Sequence, residues 1–257
     1  MVRIVAAPQS SSTVNGVLVL PQADLVALSS PSAVQTPEAL LVRLRQLEVA
    51  LRGDGRVVFP AVYVAITKAA VKLIADGGLK DAEKGRALIV DFGQRYLHAL
   101  HTQVTGDSIP APWRRHFELA TEGPPSLRAA ASAINAHLSI DLAEALVKVE
   151  AGPAFKQDFA VFGDSLASAT PAVIAGLARH GVNAEGFFRG WWIGAAVDAI
   201  VGQGTTSRFG FQVIRSEAFA NAQLLQQCSE HPRVVRAGMS VAAHAREASL
   251  DAVLGPR

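Results

Sequence analysis

His137 and Asp141 stand four residues apart in the run Ile-Asn-Ala-His-Leu-Ser-Ile-Asp-Leu, residues 134–142. At about 100° per residue this spacing sets an imidazole and a carboxylate one above the other on a helix. There they can share a proton, hold a metal ion together, or satisfy each other in a core. Leu127, Ala130, Ile134, Leu138 and Ala145 form an apolar stripe on the same helix, and both polar groups fall within it. They are therefore aimed at the interior, where a charge without a partner is costly.

A second constellation, Asp91, Arg95 and His98, follows spacings of 4 and 3 along the border of another apolar stripe. Such an edge either faces water or faces the His137 helix across a pocket. In the second arrangement Arg95 stabilises developing negative charge, and Asp91 or Asp141 fixes the tautomer of a histidine that acts as general acid or base. Metal ligation by His137 and Asp141 needs a third protein ligand, for which Asp91, His98 and Asp164 are the candidates.

Other motifs carry less. Gly163-Asp164-Ser165-Leu166 resembles the nucleophile block of the Gly-Asp-Ser-Leu lipases and esterases, in which the serine attacks and a late Asp-x-x-His assists. Here Phe155, Phe159, Phe162 and Leu166 give its surroundings a helical spacing, and no Asp-x-x-His follows. Gly202-Gln203-Gly204 lacks the preceding strand of a dinucleotide fingerprint, and there is no phosphate-binding Walker loop. Trp191 and Trp192 point about 100° apart on a helix, so one is central to the core and the other lines a pocket or an interface.

The elements that must position these residues are helices. Thr36-Pro37-Glu38 is a helix start, with threonine as cap and proline in the first turn, and Leu40, Leu44, Leu47 and Leu51 then mark one buried stripe. Further helices are expected from Val58 to Asp76 with Val62, Ile66, Ala69 and Leu73 inward, and from Asp81 to Thr105. Others follow over Trp113 to Thr121, Ser126 to about Glu150, Phe155 to Ala169 and on to Arg179. Glu185 to Val201, Ser207 to Gln227 and Val234 to Leu254 close the chain, and Gly/Pro turns separate most of these segments. The reading is an all-α bundle of about nine helices, a single helical domain over residues 36–257, behind an irregular N-terminal arm over residues 1–35 with one short strand.

Composition limits the partners. Of 257 residues 50% are hydrophobic and 18% charged, and 24 Lys and Arg against 22 Asp and Glu leave a net charge of +2. That excess is too small for a phosphate-tracking surface, so nucleic acid is not expected. The single cysteine, Cys228, excludes an intramolecular disulfide and points to a reducing, cytoplasmic setting. Residues 191–201, the most apolar late stretch, are interrupted by Asp198 and fall short of a membrane span, and no signal peptide is evident. Homo-oligomerisation is left open.

The run from about Leu40 to Arg179 resembles a family of uncharacterised, mainly bacterial, helical proteins. The residues that carry the likeness are Val62-Tyr63 with Ile66-Thr67, Asp91-Phe92 through Arg95-Tyr96-Leu97, Pro112-Trp113 with Phe117, and Asn135-Ala136-His137 followed by Asp141-Leu142. The resemblance implies a helical fold and an emphasis on the His137 to Asp141 region, and no substrate. A more distant likeness to zinc-dependent helical phospholipases and nucleases rests on His-x-x-x-Asp alone. These features together lead us to expect a small-molecule enzyme with an interhelical pocket, in which His137, Asp141, Asp91 and Arg95 act on a largely apolar substrate by acid-base chemistry. The alternatives are a metal-dependent hydrolase with His137 and Asp141 as ligands, and a non-catalytic binding or scaffold protein.

Overall fold

The computed structural model describes residues 12–14, 17–19, 22–190, 205–228 and 230–256. Trp191, Trp192 and Gly202-Gln203-Gly204 lie outside them.

The arm is more ordered than its composition suggests. β1 (Ser12–Val14) and β2 (Val17–Val19) pair antiparallel with Ser12 opposite Val19, and α1 (Gln22–Ser29) follows. The expectation of an irregular arm is thus corrected over Gln22–Ser29. The apolar residues Leu25, Val26 and Leu28 run almost consecutively and leave no periodic stripe, yet all three pack on the main core. Side chains then pin the helix end. Ser29 Oγ hydrogen-bonds His101 Nδ1 at 3.0 Å, and Arg43 donates to the carbonyls of Ala27 and Leu28.

From there the fold is all-α. α2 (Pro37–Ala50) begins where expected, with Thr36 Oγ1 accepting from the Ala39 N–H at 3.1 Å, and its leucine stripe is fully buried. α3 (Val58–Ala75) leads to α4 (Ala82–Thr105), which is capped by Asp81 and ended by Gly106 at φ 80°. α5 (Arg114–Thr121) precedes one continuous helix made of α6 (Leu127–Ala136), a wide turn (His137–Asp141) and α7 (Leu142–Lys148). α8 (Lys156–Ser168) and α9 (Thr170–Ala178) meet at a 44° bend. α10 (Glu185–Gly190), α11 (Thr205–Gln227) and α12 (Pro232–Leu254) complete the described chain.

α3 sits at the centre, against α2, α4, α6, α8 and α9. Close approach to α9 depends on Gly176, since a Cβ there would lie 2.8 Å from the Ala61 carbonyl oxygen. Among the described residues, α3 with its lead-in from Gly55 has a length and mean hydropathy of 1.8 that would suit a membrane span, although 61% of that window is buried inside the protein. Residues 191–201, which the sequence excludes as a span, lie outside the described residues. On α3 Val62 is buried as expected, but further along Thr67, Ala70 and Ile74 are the buried residues, one position on from the expected Ile66, Ala69 and Leu73. Val62 and Ile66 line a cavity beside them, because neighbours cover this helix on more than one side.

Candidate active site

The wide turn at His137–Asp141 is where the central helix departs from regular geometry. The Leu142 N–H donates to the His137 carbonyl, five residues back, instead of to a carbonyl four back, which opens the helix by one residue. Within that turn His137 Nδ1 and Asp141 Oδ2 are 3.0 Å apart, and Trp113 Nε1 donates to the same oxygen at 2.9 Å. A carboxylate oxygen that accepts from the ring fixes the proton on Nδ1 and leaves Nε2 with a bare lone pair. Nε2 is buried and has no hydrogen-bond partner among the described residues.

Burial is the largest influence on this imidazole and pushes its pKa below the ordinary value. The hydrogen bond and charge of Asp141 oppose the shift, and the positive charge of Arg95 adds to it. His137 is therefore neutral at neutral pH and available as a base. Aromatic rings hold it in place. It stacks on Phe92 with centroids 3.5 Å apart and planes at 10°, and meets Phe59 and Tyr63 edge-on at 5.2 and 4.9 Å.

Beside the ring lies a cavity of about 120 Å³, walled mainly by apolar side chains such as Ile66, Leu88, Ile89 and Phe162. Its polar contributors are few. Tyr63 and Thr67, one turn apart on α3, are 4% and 1% exposed, and neither hydroxyl has a partner among the described residues. Burial raises the Tyr63 phenol well above its ordinary pKa, and the charges of Asp141 and Asp91 push the same way, so it stays a donor. Arg215 of α11 also lines the cavity. Its Nη2 donates to the Phe159 carbonyl at 3.0 Å and its guanidinium lies over the Phe159 ring, while burial lowers its pKa to about 9 against the pull of Asp164. Gly163 makes room for that guanidinium, because a Cβ there would collide with Arg215 Nη1.

Of the four residues expected at the site, His137 and Asp141 come together and Asp91 and Arg95 pair elsewhere. Arg95 Nε donates to Asp91 Oδ2 at 2.7 Å, and neither side chain lines the cavity. Phe92, between them in sequence, is the residue that α4 presents to His137. Asp91 instead borders an open groove with Lys84, Arg86 and Lys148, and His98 is exposed. The histidine is thus oriented by Asp141 and not by Asp91. Ser165 falls within α8, with Asp164 accepting from Gln212 Nε2 at 3.0 Å, so the block that resembles a lipase motif has no strand-to-helix turn around it.

Among the described residues no group of three or more His, Cys, Asp and Glu side chains is placed to hold a metal ion. Asp91, His98 and Asp164 do not join His137 and Asp141, so the residues present do not fit the metal-centre alternative.

Sequence reasoning did not pick out Tyr63, Thr67, Phe92, Trp113 or Arg215 for the site. Tyr63 and Thr67 carried a signal, namely two hydroxyl side chains at helical spacing on a long apolar helix. Arg215, 78 residues beyond His137, carried none.

The opposite side of the same helix holds a second polar group of residues, facing α12. Arg128 Nε and Nη2 reach Asp251 Oδ1 at 3.0 and 2.7 Å, and Nη2 reaches Glu247 Oε2 at 2.7 Å. Ser132 and Asn135 both donate to Glu247 Oε1, Ser139 donates to Asn135 Oδ1, and Arg246 donates to Ser139 Oγ. Asn135, adjacent in sequence to the catalytic candidate region, thereby has a structural assignment.

No curated protein and no solved structure matches this chain. A family model does, over residues 38–251, which include every residue of the pocket and of the α12 network described above. The chain belongs to that family, described as a family of unknown function (DUF5995).

Proposed function

We propose that the protein is a small-molecule enzyme whose active centre is the cavity beside His137, with His137 Nε2 as the general base. The observation that carries this reading is a ring that lines an apolar cavity, whose buried Nε2 has no partner among the described residues while its Nδ1 is committed to Asp141. A structural histidine in a core spends both nitrogens or lies against solid packing. Asp141 and Trp113 are positioning residues: the carboxylate fixes the tautomer and stabilises the imidazolium formed when Nε2 takes a proton, and the indole N–H fixes the carboxylate. Tyr63, held protonated, can donate to an oxygen on which negative charge develops. The apolar wall selects a largely apolar substrate and excludes water from the proton transfer.

Histidine-labelled protein and long-range proton–nitrogen NMR test this directly. The expected spectrum at neutral pH has one imidazole, assigned by its absence in His137→Gln, neutral with hydrogen on Nδ1, and its Nε2 resonance moves when a small apolar molecule enters the cavity. A proton on Nε2 at neutral pH would overturn the assignment as base. A binding protein without turnover is the remaining reading from another class, favoured by the near absence of charge around the cavity, and proton exchange into a bound ligand separates the two.

A further inference from the structure

We infer that the ligand of the His137 cavity is a neutral, compact hydrocarbon of about six or seven non-hydrogen atoms that carries one carbonyl or hydroxyl oxygen. This rests on the reading of that cavity as the site and narrows what enters it.

Size comes first. The space of about 120 Å³ is somewhat smaller than the cavity of about 150 Å³ that admits a benzene ring in an apolar protein interior. A nucleotide or a sugar does not fit within that space. Polarity comes next. Among the described residues, three that line this space each carry a buried polar atom without a partner, and these are of complementary kinds: the hydroxyls of Tyr63 and Thr67 and the Nε2 of His137. Leaving each of them unmade costs free energy, which a ligand recovers by supplying the missing group. The rings of Tyr63 and His137 are 4.9 Å apart between centroids, and Thr67 follows Tyr63 by one helical turn, so the three act on one small region of the ligand. A phenolic hydrogen meets a ligand oxygen, and Nε2 accepts from a ligand hydroxyl or faces the C–H next to a carbonyl.

The charge state follows from the same atoms. Two neutral hydroxyls and a neutral imidazole match a neutral oxygen, and a carboxylate placed among them would meet the lone pair of Nε2 with its own charge. Arg215 lines the cavity as well, but its guanidinium is spent on the Phe159 carbonyl and the Phe159 ring, with Asp164 as a nearby opposite charge.

Calorimetric titration of the full chain with phenol, cyclohexanone, toluene and benzoate tests the inference, with Tyr63→Phe as the variant. Phenol and cyclohexanone are expected to bind about tenfold more tightly than toluene, the value of one good hydrogen bond. In Tyr63→Phe that preference shrinks toward unity while toluene binds as before. Equal affinity for phenol and toluene in the unaltered protein would overturn the oxygen while leaving the cavity as a site. Benzoate binding more tightly than phenol would overturn the neutral ligand in favour of an acid held by Arg215. No binding of any of the four would remove the cavity as a site, and the proposed function with it.

Discussion

The central helix carries polar residues on two sides, and the two sides are finished differently. Toward α12, Arg128, Ser132, Asn135 and Ser139 recur at spacings of 4, 3 and 4 and meet Glu247, Asp251 and Arg246 in a connected series of hydrogen bonds and ion pairs. One nitrogen of Arg128, Nη1, is the group left over. Toward α3 and α4, His137 and Asp141 hydrogen-bond each other, and His137 lines a cavity together with Tyr63 and Thr67, each with a buried polar atom that has no partner among the described residues. Buried polar groups gathered at one interface and joined to each other hold helices in register. Buried polar groups gathered at one void and left unjoined cost stability, which is the pattern of a site kept ready for a ligand.

If that distinction is right, removing polar atoms should have opposite signs on the two sides. The largest effect is expected from Arg128→Met, which leaves Glu247 without its cation and Asp251 with Arg115 alone, and should lower stability by about 3 to 5 kcal/mol, measured by urea unfolding. A loss below about 1 kcal/mol would mean that the α12 side is not a clamp.

Acid gives the next effect and supplies a control. His116 is another buried imidazole with an unpartnered Nε2, its Nδ1 hydrogen-bonded to the Ala129 carbonyl at 2.9 Å, but it does not line the cavity. Burial lowers its pKa to about 4. The unfolded chain takes up this proton near pH 6.5 and the folded one only near pH 4, so between those values the unfolded state holds more protons and stability falls as pH falls. The loss should reach about 3 kcal/mol for His116 alone, with His137 contributing in the same direction, and His116→Gln should flatten the profile. Ligands of the cavity should move the NMR signals of His137 and leave those of His116 in place.

On the cavity side, Thr67→Val and Tyr63→Phe should each raise stability by about 1 kcal/mol, because each deletes a buried hydroxyl that has no partner. Thermal unfolding without ligand reads this, and a destabilisation of similar size would show that the hydroxyls are satisfied in the resting protein. Smallest of all, Arg95→Gln should raise the pKa of His137, since the arginine's charge is among the causes that lower it, and an NMR pH titration of the imidazole would show the direction.

Much of the scaffold is written in local signals. Thr36, Asp81 and Ser126 cap the helices they precede, and Gly77 and Gly106 end helices with φ values of 73° and 80°. α1 escaped because its apolar residues are contiguous, so no period distinguishes a helix from an arm. The pair at the heart of the site was legible for the opposite reason: an imidazole and a carboxylate inside an apolar stripe are conspicuous. Its surroundings were not. Asp91 and Arg95 have the right types and spacing for a role beside a histidine, but an aromatic stack of Phe92 on His137 fills that place, and the ion pair turns to its own helix. The residues of α12 that account for Asn135 lie more than a hundred positions away, a distance over which period and composition carry no information.

The extra residue accommodated at His137–Asp141 works as a phase shift along an otherwise regular rod. Shortening that stretch by one position would let the backbone close into ordinary α-helix, and everything after it would rotate by about 100° relative to α6. Leu142 and Leu146 would swing off the core they now fill, and the carboxylate would leave its indole. The sequence is therefore expected to tolerate exchanges of side chain in this segment far better than any change in its length.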